Sequence, residues 1–179
     1  MSEEQAVYRT KARGDIIIGI DPDINKSGLA VLDAKLKSLS IMDFEFPLLL
    51  DYLKEANNLC KEAGVPLVVI VEAGWLNKSN WHLHPKHTRQ VAAEIGNRTG
   101  QNFAVGMKII EMCRHWDIKV KMQKPLAKHW KGPDKKITHK ELKYLVEPIV
   151  GPIKTTNPEK RDAVLLAWHY AGFPMRMKA

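Results

Sequence analysis

Residues 15–33 read Asp15-Ile-Ile-Ile-Gly-Ile-Asp21-Pro-Asp-Ile-Asn-Lys-Ser27-Gly-Leu-Ala-Val-Leu-Asp33, and this stretch decides the fold. A β-branched run ends on an acid, Asp21, and a second apolar run follows a turn-rich loop, so the stretch predicts a β-hairpin. Alternating apolar and polar residues at 37–46 predict a third strand at the edge of a sheet. The chain therefore begins as a three-stranded meander.

The pattern then changes to alternating helices and strands. Helical spacing over residues 48–63 precedes the apolar run Pro66-Leu-Val-Val-Ile-Val71, which is typical of a strand buried on both faces of a sheet. After an irregular stretch at 73–95, the pattern predicts a helix, a strand and two further helices, at residues 97–116, 117–122, 138–146 and 158–171. This order predicts an α/β fold: a mixed β-sheet, with a meander followed by alternating strands and helices, and helices on both faces.

The length of 179 residues suits one domain. We expect a flexible basic arm at residues 1–14, the domain at 15–172 and a basic tail at 173–179. No apolar run approaches the ~18 residues of a membrane helix, and the first residues lack the pattern of an export signal. We therefore expect a soluble, cytoplasmic protein of prokaryotic or viral type, associated with the nucleoid when acting. The two cysteines lack metal-ligand spacing and are expected to be buried and reduced.

Positive charge is the first sign of a partner. The sequence has 28 Lys and Arg against 20 Asp and Glu, a net charge of +8, which suits a polyanion such as nucleic acid. The charge is densest at residues 78–89 and 119–140, where Trp81 and Trp130 either stack on unpaired bases or pack in the core. The candidate DNA contacts are Lys78, Trp81, Lys86, Arg89, Lys124, Lys128, Lys131, Lys135 and Lys136. A solvated basic surface is the alternative interpretation.

Four acids form the candidate chemical site. Asp21 and Glu72 each directly follow an apolar strand, so their carboxylates project at the same end of the sheet if the strands are neighbours. Glu159 and Asp162 are three residues apart and share one face of the last helix. Converging carboxylates repel unless a cation lies among them, and hard oxygen ligands favour Mg²⁺ or Mn²⁺. Two such ions can serve phosphoryl displacement. The alternative is that each acid caps a helix or faces solvent.

Three motifs, taken together and in this order, resemble those of RuvC-type Holliday junction resolvases, which belong to the ribonuclease H-like superfamily. They are Ile16-Ile-Ile-Gly-Ile-Asp21-Pro-Asp with Ser27-Gly-Leu-Ala, then Val68-Val-Ile-Val-Glu72, then Glu159-Lys-Arg-Asp162-Ala. The stretch from Asn97 to Gly106 is similar to the small-residue helix that follows the second acid in that family. Lys135-Lys-Ile-Thr-His-Lys is similar to the basic stretch before its penultimate helix. The resemblance spans residues 15–172.

The resemblance implies a homodimeric, Mg²⁺-dependent endonuclease that nicks branched DNA symmetrically and leaves 5′-phosphate and 3′-hydroxyl ends, with Mn²⁺ as a substitute metal. It assigns Asp21 as the acid shared by two metal ions, Glu72 as the second acid and Asp162 as the last-helix acid. Glu159 falls where the family has Asp or His, so all four are candidate catalytic and metal-binding residues. Asp23 replaces a usual glycine and is expected to face solvent. The segment at 73–95 has no counterpart in the family that can be aligned.

Two other functions remain open at this point. The first is a weak or inactive protein of the same fold that binds branched nucleic acid without cutting it, although the acids at all four positions argue against it. The second is a ribonuclease H-like nuclease that acts on RNA–DNA hybrids. A sugar-kinase or actin-like protein begins with a similar strand, acid and hairpin, but needs two domains and glycine-rich phosphate loops that 179 residues cannot supply.

Overall fold

The computed structural model describes residues 15–77 and 88–175. Within these ranges the strands are β1 (Ile16–Asp21), β2 (Ser27–Asp33), β3 (Ser38–Phe44), β4 (Leu67–Glu72) and β5 (Val120–Gln123). The α-helices are α1 (Phe46–Glu62), α2 (Arg89–His115), α3 (His139–Val150) and α4 (Pro158–Tyr170). The predicted arm at 1–14, the segment 78–87 and residues 176–179 of the predicted tail lie outside the described residues.

The five strands form one mixed sheet in the order β3-β2-β1-β4-β5. β2 runs antiparallel to β1 and β3, whereas β4 is parallel to β1 and β5 is parallel to β4. The meander thus occupies one half of the sheet, and the helix-connected strands occupy the other. The predicted α/β fold class is confirmed.

Helices cover both faces of this sheet. One core contains Ile17 and Ile70 of the central strands and most of the buried residues of α3 and α4. The other core contains Ile18 and Val69 with residues of α1 and α2. Neighbouring residues of a strand point to opposite faces of the sheet, and helices cover both faces. Every residue of β1 and β4 that faces a core is therefore apolar, which explains the continuous hydrophobic runs of these strands.

Two glycines let α4 lie directly on the sheet. A Cβ atom at Gly19 of β1 would overlap the main-chain carbonyl oxygen of Ala163, and one at Gly28 of β2 would overlap that of Glu159. Both α4 residues belong to the first half of the helix, so the missing side chains bring that half down onto β1 and β2. The carboxylate-bearing turn of α4 is placed by this close approach.

The long helix was predicted too short. α2 begins at Arg89 rather than at Asn97, because the Thr88 hydroxyl caps it by accepting a hydrogen bond from the Val91 N–H at 3.3 Å. Few residues of this first part pack on the described core, and Val91 is 41% exposed. Apolar periodicity reports burial, so it does not detect an exposed helical segment.

Two further boundaries differ from the sequence prediction. β5 begins at Val120 rather than at residue 117, because Asp117 adopts a φ of +56° in the turn that ends α2. α3 continues through Pro148 to Val150 instead of ending at residue 146. Its predicted start is confirmed, and Thr138 and Glu141 form a capping box there.

The two cysteines are unpaired, as expected, but only Cys113 is buried, and Cys60 is half-buried. In the part of the chain that is described, no helix has the length and apolarity needed to cross a bilayer.

Candidate active site

The ends of the five strands place one row of residues across the sheet on the α4 face. Gly28 of β2 pairs with Asp21 on one side and with Asp43 on the other. Ile20 pairs with Val71 in the parallel strands, so the next residues, Asp21 and Glu72, are neighbours, and Glu72 pairs with Gln123. In order, the row reads Asp43, Gly28, Asp21, Glu72 and Gln123.

The first turn of α4 brings two more acids to this row. Asn157 caps the helix by accepting a hydrogen bond from the Lys160 N–H at 2.9 Å, and Pro158 takes the first helical position. The main chain of Glu159 lies against Gly28, and Asp162 follows one turn later. The buried residues of α4 include Ala163, Leu166 and Ala167.

The charges of the other three predicted acids all act on Asp21. Burial is the largest cause that raises the pKa of Asp21 well above its ordinary value, and the charges of Glu72, Asp162 and Glu159 raise it further. Burial and then Asp162 raise the pKa of Glu72 to about 7. Burial also raises the pKa of Asp162, against the opposing charges of nearby lysines. The acids therefore form one cluster in which negative charge is under-compensated.

Two lysines partly neutralise the cluster. Lys136 Nζ lies 3.5 Å from Asp162 Oδ2, and its charge opposes the pKa increase of Asp21, Glu72 and Asp162. Burial alone would lower the pKa of Lys136, but the carboxylates of Asp162 and Asp21 outweigh it and raise that pKa. The charge of Lys128 also opposes the pKa increase of Glu72 and Asp162. Both lysines were predicted as DNA contacts, and the structure puts them beside the acids.

The two lysines, together with Glu72 and Asp162, border a small cavity of about 20 Å³, which is room for roughly one water molecule. Its lining combines the polar residues with apolar ones from the α3–α4 core. The lining consists of Glu72, Leu126, Ala127, Lys128, Trp130, Lys136, Ile137, Asp162, Leu165 and Met175. A water-sized space between carboxylates and ammonium groups suits a hydrolytic water.

The donor chemistry of the cluster fits a hard divalent cation. The carboxylates supply oxygen ligands, and their raised pKa values show a deficit of positive charge that a cation would remove. Among residues 15–77 and 88–175, however, no group of three His, Cys, Asp or Glu side chains is arranged to hold a metal ion. The fit is therefore one of chemistry and not of assembled coordination geometry.

The predicted DNA contacts divide into three groups, and the first consists of Lys128 and Lys136, which lie beside the acids. Lys78, Trp81 and Lys86 fall outside the described residues. Arg89 begins α2, and Lys124, Lys131 and Lys135 are exposed in the loops around the cavity. Trp130 is only 8% exposed and belongs to the α3–α4 core, so of the two interpretations that the sequence left open for it, core packing is correct.

Asp23, expected to face solvent, instead organises the loop after Asp21. Its Oδ1 accepts a hydrogen bond from the Asn25 N–H at 2.8 Å, and its Oδ2 accepts one from Asn102 Nδ2 at 3.2 Å. Asn102 Oδ1 in turn accepts a hydrogen bond from the Ile24 N–H at 2.9 Å. This loop is therefore tied to α2, and sequence reasoning missed the contact because the two partners are 79 residues apart.

Similarity to known proteins is found among solved structures, at low sequence identity. No family model matches the chain, and no curated protein matches it. Among solved structures, Thermus thermophilus RuvC in complex with a Holliday junction substrate is 18% identical with a TM-score of 0.48, and the alignment covers 86% of this chain and 90% of that one. Fowlpox virus resolvase in complex with Holliday junction DNA is 14% identical with a TM-score of 0.45, covering 88% and 97%.

The five-stranded mixed sheet in the order described, with helices on both faces, is the α/β fold that the sequence predicts. The function of the chain has to follow from its own site.

Proposed function

We propose that this protein is a metal-dependent endonuclease that cuts branched DNA of the Holliday junction type. The observation that carries the proposal is the cluster of Asp21, Glu72 and Asp162: burial raises all three pKa values, and repulsion from neighbouring acids raises those of Asp21 and Glu72 further. A fold does not retain such a cost for stability alone, and perturbed carboxylates of this kind concentrate at functional sites.

Asp21, Glu72, Asp162 and Glu159 would hold Mg²⁺, or Mn²⁺ in its place, in a site for two ions. When bound, the ions supply activation of a water and stabilisation of the leaving oxygen in an in-line displacement at phosphorus. The products would carry 5′-phosphate and 3′-hydroxyl ends. Glu159, with its main chain over Gly28, lies nearest the meander side of the cluster and completes the set.

Lys136 and Lys128 hold the reacting phosphate in this proposal. Both ammonium groups lie close enough to the acids to affect their pKa values, so a phosphate that approaches the acids meets positive charge at once. When the phosphate and metal bind, Lys136 exchanges its partner Asp162 for a phosphate oxygen. The exposed Lys124, Lys131 and Lys135 extend the positive surface along the same loops.

The choice of branched DNA rests on the motif resemblance described from the sequence and on the +8 net charge. Symmetric nicking of a four-way junction needs two active sites, and each chain contains one cluster, so the active form is proposed to be a homodimer. An RNA–DNA hybrid would need only one site. The requirement for a dimer therefore separates the two substrates.

The test is cleavage of an end-labelled four-way DNA junction with and without Mg²⁺, resolved on a denaturing gel. Linear duplex, a flap and an RNA–DNA hybrid are run in parallel. Paired, symmetric, metal-dependent nicks in the junction alone are expected. Tight junction binding without cutting in Mg²⁺ or Mn²⁺ would instead identify a binding protein. Preferential cutting of the hybrid would show that the substrate is an RNA–DNA hybrid and not branched DNA.

A further inference from the structure

Asp43, on the edge strand β3, is a carboxylate close to the acid cluster that has been given no role so far. Asp43 Oδ2 accepts hydrogen bonds from Asn157 Nδ2 at 3.0 Å and from Lys160 Nζ at 3.0 Å. Both donors belong to the start of α4. The side chains of Lys160 and Asp43 are only 22% and 27% exposed, so this contact is sheltered from solvent.

Asn157 connects this contact to the helix itself. Its Oδ1 caps α4 by accepting from the Lys160 N–H, while its Nδ2 donates to Asp43. A single amide side chain therefore fixes the helix terminus and attaches it to β3. On the other side, the main chain of Glu159 rests on Gly28. The first turn of α4 is held from below by β2 and from the side by β3.

The held turn carries the last two acids of the cluster. Glu159 lies in sequence between the two partners of Asp43, and Asp162 follows Lys160 by two residues. Asp43 itself is two strands from Asp21 in the same row, or roughly 10 Å at ordinary strand spacing. Lys160 balances its charge, so Asp43 is not a fifth member of the acid cluster.

We propose that Asp43 is a positioning residue that sets the location of Glu159 and Asp162 by anchoring the N-terminus of α4 to β3. The inference rests on the proposed function, because the position of these acids matters when they bind metal. Outer groups that orient metal-binding side chains typically change metal affinity or activity by about 10- to 100-fold when they are lost.

The experiment compares Asp43→Ala, Asp43→Asn and a matched control, Asp33→Ala. Asp33 is a carboxylate at the opposite end of the meander, where it accepts hydrogen bonds from the Lys35 and Leu36 N–H groups. Three quantities are measured: Mn²⁺ binding without DNA by electron paramagnetic resonance, kcat and KM for junction cleavage, and the thermal unfolding temperature.

For Asp43→Ala we expect Mn²⁺ binding about 10-fold weaker and kcat about 10- to 100-fold lower, with little change in KM. Asp43→Asn should lie between this variant and the wild type, because its amide oxygen still accepts a hydrogen bond. Asp33→Ala should lower the unfolding temperature without changing Mn²⁺ affinity or kcat. If Asp43→Ala does not fold, Asn157→Ser tests the same contact, since it keeps a capping oxygen but loses the donor to Asp43.

Wild-type Mn²⁺ affinity and kcat in Asp43→Ala, or an equal loss in Asp33→Ala, would overturn the positioning role. If the wild-type protein binds Mn²⁺ but cuts none of the DNA substrates, the proposed function fails while the Mn²⁺ titration still decides the role of Asp43. If the wild-type protein binds no Mn²⁺, both are overturned.

Discussion

The two faces of the sheet are built from the same strands but differ in the residues at the ends of those strands. On the face covered by α1 and α2, β1 contributes Ile18 and Ile20, and the apolar pattern continues to the last residue pair. On the face covered by α3 and α4, Ile17 is followed by Gly19 and then by Asp21. One face is a core throughout. The other is a core whose final row is polar.

The difference shows how the fold accommodates a buried cluster of like charges. The apolar rows below anchor the sheet and α4, so the last row does not have to contribute to stability. Glycine at two positions brings the helix close enough for its acids to reach the strand ends. The polar row thus lowers the free energy of unfolding locally, and the apolar rows of the core compensate for it, a pattern typical of functional sites.

The largest expected effect comes from neutralising the centre of the polar row. Asp21→Asn keeps the shape of the side chain but removes charge from the proposed metal site. Metal assistance is worth several kcal/mol, so junction cleavage should fall by about 10³-fold or more. Junction binding should be retained or tightened, because a negative charge facing phosphate is lost. Single-turnover cleavage and gel-shift titration measure the two quantities.

The control for this variant is Asp15→Asn, which changes a carboxylate next to the opposite end of β1. It should cut at the wild-type rate. If Asp21→Asn also cuts at the wild-type rate, the metal site is assigned to the wrong row of the sheet.

The next effect tests the close approach of α4. In Gly28→Ala the new Cβ overlaps the main chain of Glu159, so the first turn of the helix must move away from β2. A displacement of about 1 Å in a catalytic group can cost about 100-fold in rate, and overpacking costs about 1–3 kcal/mol of stability. Cleavage rate and urea denaturation are the measurements. An active, fully stable Gly28→Ala protein would contradict this account of how the acids are placed.

The polar row should also be visible in stability without any DNA. Burial and Asp162 raise the pKa of Glu72 from its ordinary value of 4.5 to about 7. The folded protein therefore binds this proton more tightly than the unfolded chain. Consequently the free energy of unfolding of the metal-free protein should fall as the pH rises from about 4.5 to about 7. Glu72→Gln removes this loss and should stabilise the protein at pH 8 by about 3 kcal/mol, with little change at pH 4.

Urea denaturation in EDTA between pH 4 and pH 8 measures this difference. Glu62→Gln is the matched control, because it changes an exposed carboxylate at the end of α1, outside the cluster. If the free energy of unfolding of Glu72→Gln has the same pH dependence as that of the wild type, the pKa of Glu72 is not raised by folding and this prediction is wrong.

Local sequence signals were sufficient for most of the fold. The runs that end at Asp21 and Glu72 predict buried strands, and Thr138 with Glu141 predicts the start of α3. Each signal lies within a few residues of the feature that it predicts. The same locality explains the early start of α2: its first turns are capped by Thr88 but are largely exposed, so no apolar period marks them.

The candidate site was predictable in its acids but not in its supports. Residues at strand ends and on one helix face could be grouped from sequence alone. The contact of Asp43 with Asn157 joins residues 114 positions apart, and only the register of β2 with β3 brings them together. Lys136 was predicted to bind DNA from charge density, whereas its proximity to Asp162 depends on the path of the connection between β5 and α3.

The smallest effect is expected from substituting a glycine that packs against neither face of the sheet. Gly100 lies inside α2, and a Cβ there would meet no atom within 4 Å among the described residues. Glycine costs a helix about 0.5–1 kcal/mol relative to alanine, so Gly100→Ala should stabilise the protein by that amount and leave cleavage unchanged. The same substitution thus has opposite signs at Gly28 and Gly100. Thermal unfolding and the junction assay measure it, and a folded Gly100→Ala protein that no longer cuts would mean that another surface covers this part of α2 in the active form.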